Sequence, residues 1–299
     1  TLAVTENLQE AIAYGNLVNN AMSVAGTTLV VPEILGAAST VMFDMMDNVP
    51  SGNVVAAYGV LSQQSVLSDV SARATSSGAS SQIAVIGSLD NSTALNDANT
   101  LSTEAYGNYG QSGLSLNATN VGVGAFSSVG NLTSLQSVDA AITAQAATGA
   151  VALTSVSGNV GSVDTVSSIS ASGNRIDAQA TGSRAINTVG VSATNIDTVA
   201  TGSTGTSAAG ALTSNASFSL QNMQTGAGSV NATLLDADNT SLPSDVRIAI
   251  VGDVTRSSVV ADGNTARAAA TSNNATNALV IDGSGNLATS SAQQNVQVT

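Results

Sequence analysis

The chain has 299 residues, a formal charge of −13, 43% hydrophobic and only 2% aromatic residues, and no Cys, His or Trp. No Cys means neither a disulfide framework nor a thiolate metal site, and no His removes the usual general base and the commonest zinc ligand. All six basic residues are Arg (Arg73, Arg175, Arg184, Arg247, Arg256, Arg267), which excludes Lys Schiff-base and P-loop chemistry, and the acidity argues against nucleic acid, which needs a basic footprint.

With three Phe and four Tyr, the apolar content is mostly Ala, Val, Leu and Ile, so a thin core of small and β-branched side chains is expected. Only 8% of residues are charged, and solubility rests on Ser, Thr, Asn and Gln. A mean hydropathy of +0.24 speaks against a wholly disordered chain. This composition is common in bacterial secreted and surface proteins.

In chain order, TLAVT (1–5) alternates apolar and polar residues and is expected to be a strand. The opening has neither Met nor a basic leader, and is read as the start of a mature exported chain. VTENLQEAIAYGNLVNNAM (4–22) has a hint of helical spacing, but its register matches repeats further on, so a strand is expected. VAGTTLVVPEILGAASTVMF (24–43) is nearly long enough to span a bilayer, yet Pro32 and Glu33 in its middle favour buried strands. Residues 1–45 are read as a strand arm and apolar segment that could contact a neighbouring subunit, and 46–299 as a repetitive β-rich body. Met42, Met45 and Met46 around DMMD (44–47) are expected to fill the core.

The body carries a degenerate frame. GNRIDAQATGSRAIN (173–187) returns ninety positions later as GNTARAAATSNNATN (263–277). The N-terminal copy sets Asn7, Ala11, Ala13 and Asn20 on Asn174, Ala178, Ala180 and Asn187. LSDVSARATSSGASS (67–81) sets Ala72, Ala74 and Thr75 on Ala178, Ala180 and Thr181. ANTLSTEAYGNYGQS (98–112) sets Asn99, Ala105, Tyr106 and Gly107 on Asn174, Ala180, Thr181 and Gly182. A fainter frame links GNVVAA (52–57), AAITAQ (140–145) and GSVNAT (228–233). Leu114/Leu116 and Val296/Val298 add alternation, and VSGN, ADGN and DGSGN are turn signals.

In A-x-A-T-G both Ala point to one strand face, and the Gly permits a corner. The closing Asn suits a turn, and Asn stacked on Asn in successive coils would form amide ladders. The spacings suggest a unit of roughly 30 residues repeated about ten times, hence a rod about 50 Å long at ~4.8 Å per coil. The expected fold is all-β, a β-solenoid-like stack. The alternative is a tandem array of β-sandwich modules of about 90 residues, which would ordinarily use more aromatics.

Chemistry is sparse. Asp236 and Asp238 in LDADNTS (235–241) resemble a calcium loop only superficially, because the Gly and Glu of an EF-hand are missing. N-x-S/T triplets occur at Asn91, Asn117, Asn131, Asn215, Asn231, Asn239 and Asn274. No catalytic, cofactor-binding or metal residue is assigned, and no enzymatic role is expected.

The recurring frame, alternating with short V-x-A strands, resembles the strand-repeat proteins of bacterial surfaces, above all secreted fibre and holdfast-anchor proteins of Alphaproteobacteria. The likeness covers roughly residues 50–285. It implies an exported, self-associating structural protein and transfers no functional residues. The expected partner is the chain itself, in a homopolymer joined through terminal strands, with the cell envelope or a surface polysaccharide as a further contact and neither nucleic acid nor a membrane span. The other function considered is a single rod-like adhesin or carbohydrate-binding domain. If the acids are turn residues, EDTA should leave the melting temperature unchanged. A fall of many degrees would instead make Asp236 and Asp238 ligands.

Overall fold

The structure is a computed structural model. It describes residues 1–30, 39–44, 49–53, 56–76, 87–90, 93–122, 129–148, 156–158, 160–164, 168–198, 204–206, 212–214, 216–236, 248–250, 253–254 and 258–299. Every regular element among these residues is a strand.

The chain winds four times around one axis. Each coil opens with a short strand, then a long one: Leu8–Leu29, Thr100–Val121, Arg175–Asp197 and Thr265–Gly283. These four pair in parallel, each in register with the next. The chain then returns across the core. Tyr58–Val66, Gly130–Val138, Phe218–Gly226 and Ser291–Val298 form one return sheet, and Val70–Ser76, Ile142–Thr148 and Val230–Asp236 a second, both parallel. One antiparallel sheet, Thr204–Thr206, Leu212–Ser214, Ser39–Asp44 and Val49–Asn53, lies outside this stack.

The parallel β-solenoid-like stack is therefore present, with a coil larger than the expected 30 residues. Register offsets are 92, 75 and 90 along the long strands, as in Leu8↔Thr100↔Arg175↔Thr265. They are 72, 88 and 73 along the first return sheet, as in Tyr58↔Gly130↔Phe218↔Ser291. Four coils at ~4.8 Å give a stack roughly 15–20 Å tall. A long strand of 22 residues would measure roughly 70 Å if straight, so one copy is wider than it is tall.

The reason for the discrepancy lies in the core. The copy at 67–81 does not stack on the long-strand frame. Its Ala72 and Ala74 pair with Ala144 and Ala146, and pack across the core from Ala178 and Ala180. Both walls need small residues at alternate positions to approach closely, so an A-x-A match can mark the opposite wall as well as the next coil. The 140/228 pairing is real, with Ile142 opposite Val230 and Ala144 opposite Ala232. The third member is Val70–Ala72, and not GNVVAA, where Gly52 and Asn53 pair antiparallel with Val41 and Thr40.

The N-terminal segment folds onto its own chain. Leu2–Thr5 pairs with Ala94–Asp97 and Leu8–Leu29 with the second long strand, so residues 1–29 form the first coil of the stack and not an outreaching arm. Met45, Met46, Pro32 and Glu33 lie outside the described residues.

The core has two halves, divided where each long strand bends. The first holds Leu101, Ala105, Ile176, Ala178 and Ala180 against Ile142, Ala144 and Ala146, all with no exposed surface. The second packs Leu114, Leu116, Val189 and Val191 against Leu132, Leu220 and Phe218. Because Ala178 is fully buried and Gln179 points outward, Ala178→Leu should overpack this thin layer and cost roughly 1–3 kcal/mol. Gln179→Leu should shift the denaturation midpoint far less, and equal costs would disprove the register.

Candidate functional site: side-chain ladders, a tyrosine cluster and two open ends

A left-handed residue precedes each long strand: Glu6, Ala98, Gly173 and Gly263, at φ 58°, 57°, 65° and 61°. Such a φ is strained for Glu and Ala. It aims the next residue, an Asn in every coil, along the stack axis. Asn7 donates its backbone N–H and side-chain amide to Asn99 Oδ1 at 3.0 and 2.9 Å. Asn99 repeats this on Asn174 at 3.0 and 3.1 Å, and Asn174 on Asn264 at 3.0 and 3.0 Å. The remaining amide hydrogens tie down the preceding strand, as in Asn99 to the Val4 carbonyl and Asn174 to that of Asn96.

The expected amide ladder is therefore built by the opening Asn of the frame. The closing Asn, expected at a turn, sits inside the long strand, where Asn187 donates to Asn277 and to Asn222 across the core. A glutamine ladder that the sequence reading missed runs beside it. Gln136 donates to Gln64 at 2.6 Å, Gln224 to Gln136 at 2.8 Å and Gln297 to Gln224 at 2.7 Å. The same amides reach the long strand of the following coil, at the carbonyls of Tyr109, Arg184 and Asn274. The tripeptide Gln-Ser-Val at 64–66 and again at 136–138 was its one sequence signal.

The frame glycine marks the bend, for a reason other than positive φ. A Cβ on Gly15, Gly107 or Gly182 would lie 2.6, 2.5 or 2.4 Å from the carbonyl oxygen of the next coil at this row. Only a residue without Cβ lets the coils close there. The fourth member is Ser272.

On the outside of this bend gather three of the chain's four Tyr. Tyr14 stacks on Tyr106 at 5.2 Å, Tyr109 meets both edge-on, and Arg184 lies 5.1 Å from the Tyr109 ring centre. Burial pushes the Tyr106 hydroxyl up to about 12, helped by the hydrogen bond it donates to Glu104 and by that carboxylate's charge. Tyr106 is a neutral donor at physiological pH, with the Glu104 carboxylate as its acceptor. A groove of about 430 Å³ on another side is lined by Asn117, Thr119, Ser192, Thr194, Asp282 and Ser284, with a single titratable group.

Among the described residues no three His, Cys, Asp or Glu come together as a metal site, and no helix is long and apolar enough to cross a membrane. Asp238, and the side chain of Asp236, fall outside the description. Of the described N-x-S/T triplets, Asn117, Asn231 and Asn274 are exposed, whereas Asn131 is fully buried and donates to Ser219.

The first and fourth coils are less buried than the two between them. Met22 and Val24 on the first coil, and Leu279 and Ile281 on the fourth, are only partly buried, while their row-mates Leu114, Leu116, Val189 and Val191 are at most 2% exposed. No protein-family model, no curated protein and no solved structure matches this chain.

Asn99→Ala should be among the most damaging polar substitutions. It removes the one oxygen that accepts both the backbone N–H and the side-chain amide of Asn7, and it takes one of the two donors to Asn174 Oδ1, at roughly 1–3 kcal/mol for each buried group left unpaired. Asn117→Ala, on the exposed face, should leave the denaturation midpoint nearly unchanged. A comparable loss at both positions would show that the ladder contributes nothing specific.

Proposed function

We propose that this is an exported, non-catalytic structural protein that associates end to end into an extracellular filament. The observation that supports it best is the continuity of rows across the two open ends. The fourth coil presents Asn264, Asn277, Leu279, Ile281 and Leu287, and the first presents Asn7, Asn20, Met22, Val24 and Leu29 at the same register positions. Each ladder could therefore continue into another copy as it does between coils. Unpaired parallel edges of this kind template further strands.

A further point favours a polymer over a single adhesive rod. Stability in such stacks comes from neighbour contacts, which extra coils increase. The acidic, Lys-free and Cys-free composition fits an exported, surface-associated chain. The resemblance to secreted fibre and holdfast-anchor proteins agrees with it.

Sedimentation velocity and negative-stain imaging over a wide concentration range test this reading. The expected result is particles that lengthen with concentration along one axis, in steps of roughly 20 Å for four coils. A single species of constant size at every concentration would overturn it.

A further inference from the structure

We propose that Tyr14 and Tyr106 form an oxidative cross-linking site. A carbon–carbon bond between their rings would staple the first coil to the second, with Glu104 taking the proton that Tyr106 gives up. The oxidant is hydrogen peroxide, used through a haem peroxidase that removes one electron from each phenol. Both rings belong to one chain, so the inference does not rest on the end-to-end reading. A coil placed before the first would leave the pair as it stands.

In-register parallel pairing brings the two rings together. Tyr14 stands opposite Tyr106 in the ladder, one strand spacing or about 4.8 Å away. Their rings stack at 5.2 Å between centroids and 11° between planes, within the range of direct aromatic contact. No other row holds two Tyr: Tyr58 pairs with Gly130, and Tyr109 stands between Leu17 and Arg184. The fold itself does not require rings here, because the same row continues as Thr181 and Thr271 in the third and fourth coils.

The surroundings direct the oxidation to this pair. Tyr106 is buried, and its hydroxyl donates to Glu104 Oε2 at 2.9 Å. A phenol that loses an electron becomes a strong acid, and a carboxylate already hydrogen-bonded to it is placed to receive the proton in the same step. Tyr14 is 42% exposed and releases its proton to water. Tyr109, partly exposed in the second coil, meets both rings edge-on at 5.9 and 5.6 Å, so an electron vacancy formed on it passes readily to them. The vacancy does not stay on Tyr109. The Arg184 guanidinium lies 5.1 Å from that ring's centre, and a cation beside a ring opposes the loss of an electron from it.

Each phenol loses one electron and its hydroxyl proton, which gives two neutral phenoxyl radicals. The radicals pair through ring carbons ortho to oxygen, and one carbon–carbon bond forms. The hydrogens on those two carbons then shift to the oxygens, which restores both aromatic rings and both hydroxyls. The pair loses two hydrogen atoms in all, and one hydrogen peroxide is reduced to two waters. The bond closes residues 14–106 into a loop, in a chain with no Cys for a disulfide and no Lys for an amide cross-link. Closing so long a loop restricts the unfolded chain and raises the denaturation midpoint.

The test treats the full chain, at high dilution, with a haem peroxidase and hydrogen peroxide. Dityrosine fluorescence, intact mass and peptide mapping are read on single chains. The expected product is lighter by two hydrogens, carries the Tyr14 and Tyr106 peptides joined to each other, and unfolds at a higher denaturant midpoint. Tyr14→Phe should lose the internal bond, and Tyr109→Phe should keep it. Glu104→Gln still accepts a hydrogen bond but takes no proton, and should lower the initial rate of bond formation on the order of 100-fold, the low end for a lost proton acceptor. Mapping the unsubstituted protein locates the bond even where a variant fails to fold. No internal dityrosine, a bond mapped to another pair or only between chains, or a bond that persists in Tyr14→Phe overturns the site. An unchanged rate in Glu104→Gln overturns the part given to Glu104.

Discussion

In a parallel, in-register stack every side chain lies one strand spacing, about 4.8 Å, from its counterpart in the neighbouring coil. Identical amides can then hydrogen-bond in a line, each both giving and accepting. The Asn7–Asn99–Asn174–Asn264 line is the clearest case, because both the backbone N–H and the side-chain amide of one coil converge on one oxygen of the next. A slip by one residue would break all of these bonds and turn Ala178 and Ala180 outward. The amide line and the buried alanines therefore fix the same register.

This constraint explains how a core with so few rings holds together. A thin layer of Ala, Val and Leu buries less area per residue than an aromatic core, and the interior polar groups would be costly if unpaired. Here many are paired along the axis: Gln136 between Gln64 and Gln224, and Asn222 with Asn295. The amides also stitch the walls together, since Gln136 reaches the Arg184 carbonyl and Asn108 that of Ser137. The walls stand close because the rows are small, and the coils close at the bend because it is glycine in three of them.

The rows also meet exceptions in the outer coils: Ser272 follows three glycines, Gln9 and Ala266 flank Leu101 and Ile176, and Gln293 follows Leu132 and Leu220.

The amino-acid sequence by itself determined the strand class and the inward face, and it aligned the asparagines of the ladder while assigning the ladder itself to the closing Asn of the frame. Period-2 alternation placed Ala178 and Ala180 inside and Gln179 outside, and matching Asn7, Asn99, Asn174 and Asn264 put in line the residues that bond to one another. Composition also excluded Cys, His and Lys chemistry outright. Only the tertiary structure decided the size of the coil. Two facing walls of one thin core obey the same small-residue rule, so Ala72 and Ala74 look in sequence like a repeat of Ala178 and Ala180 while packing across from them. The glycine at the bend was legible as a corner, but its cause was not. That cause is a carbonyl of the next coil, 75 to 92 residues away along the chain, at a distance only three-dimensional stacking defines.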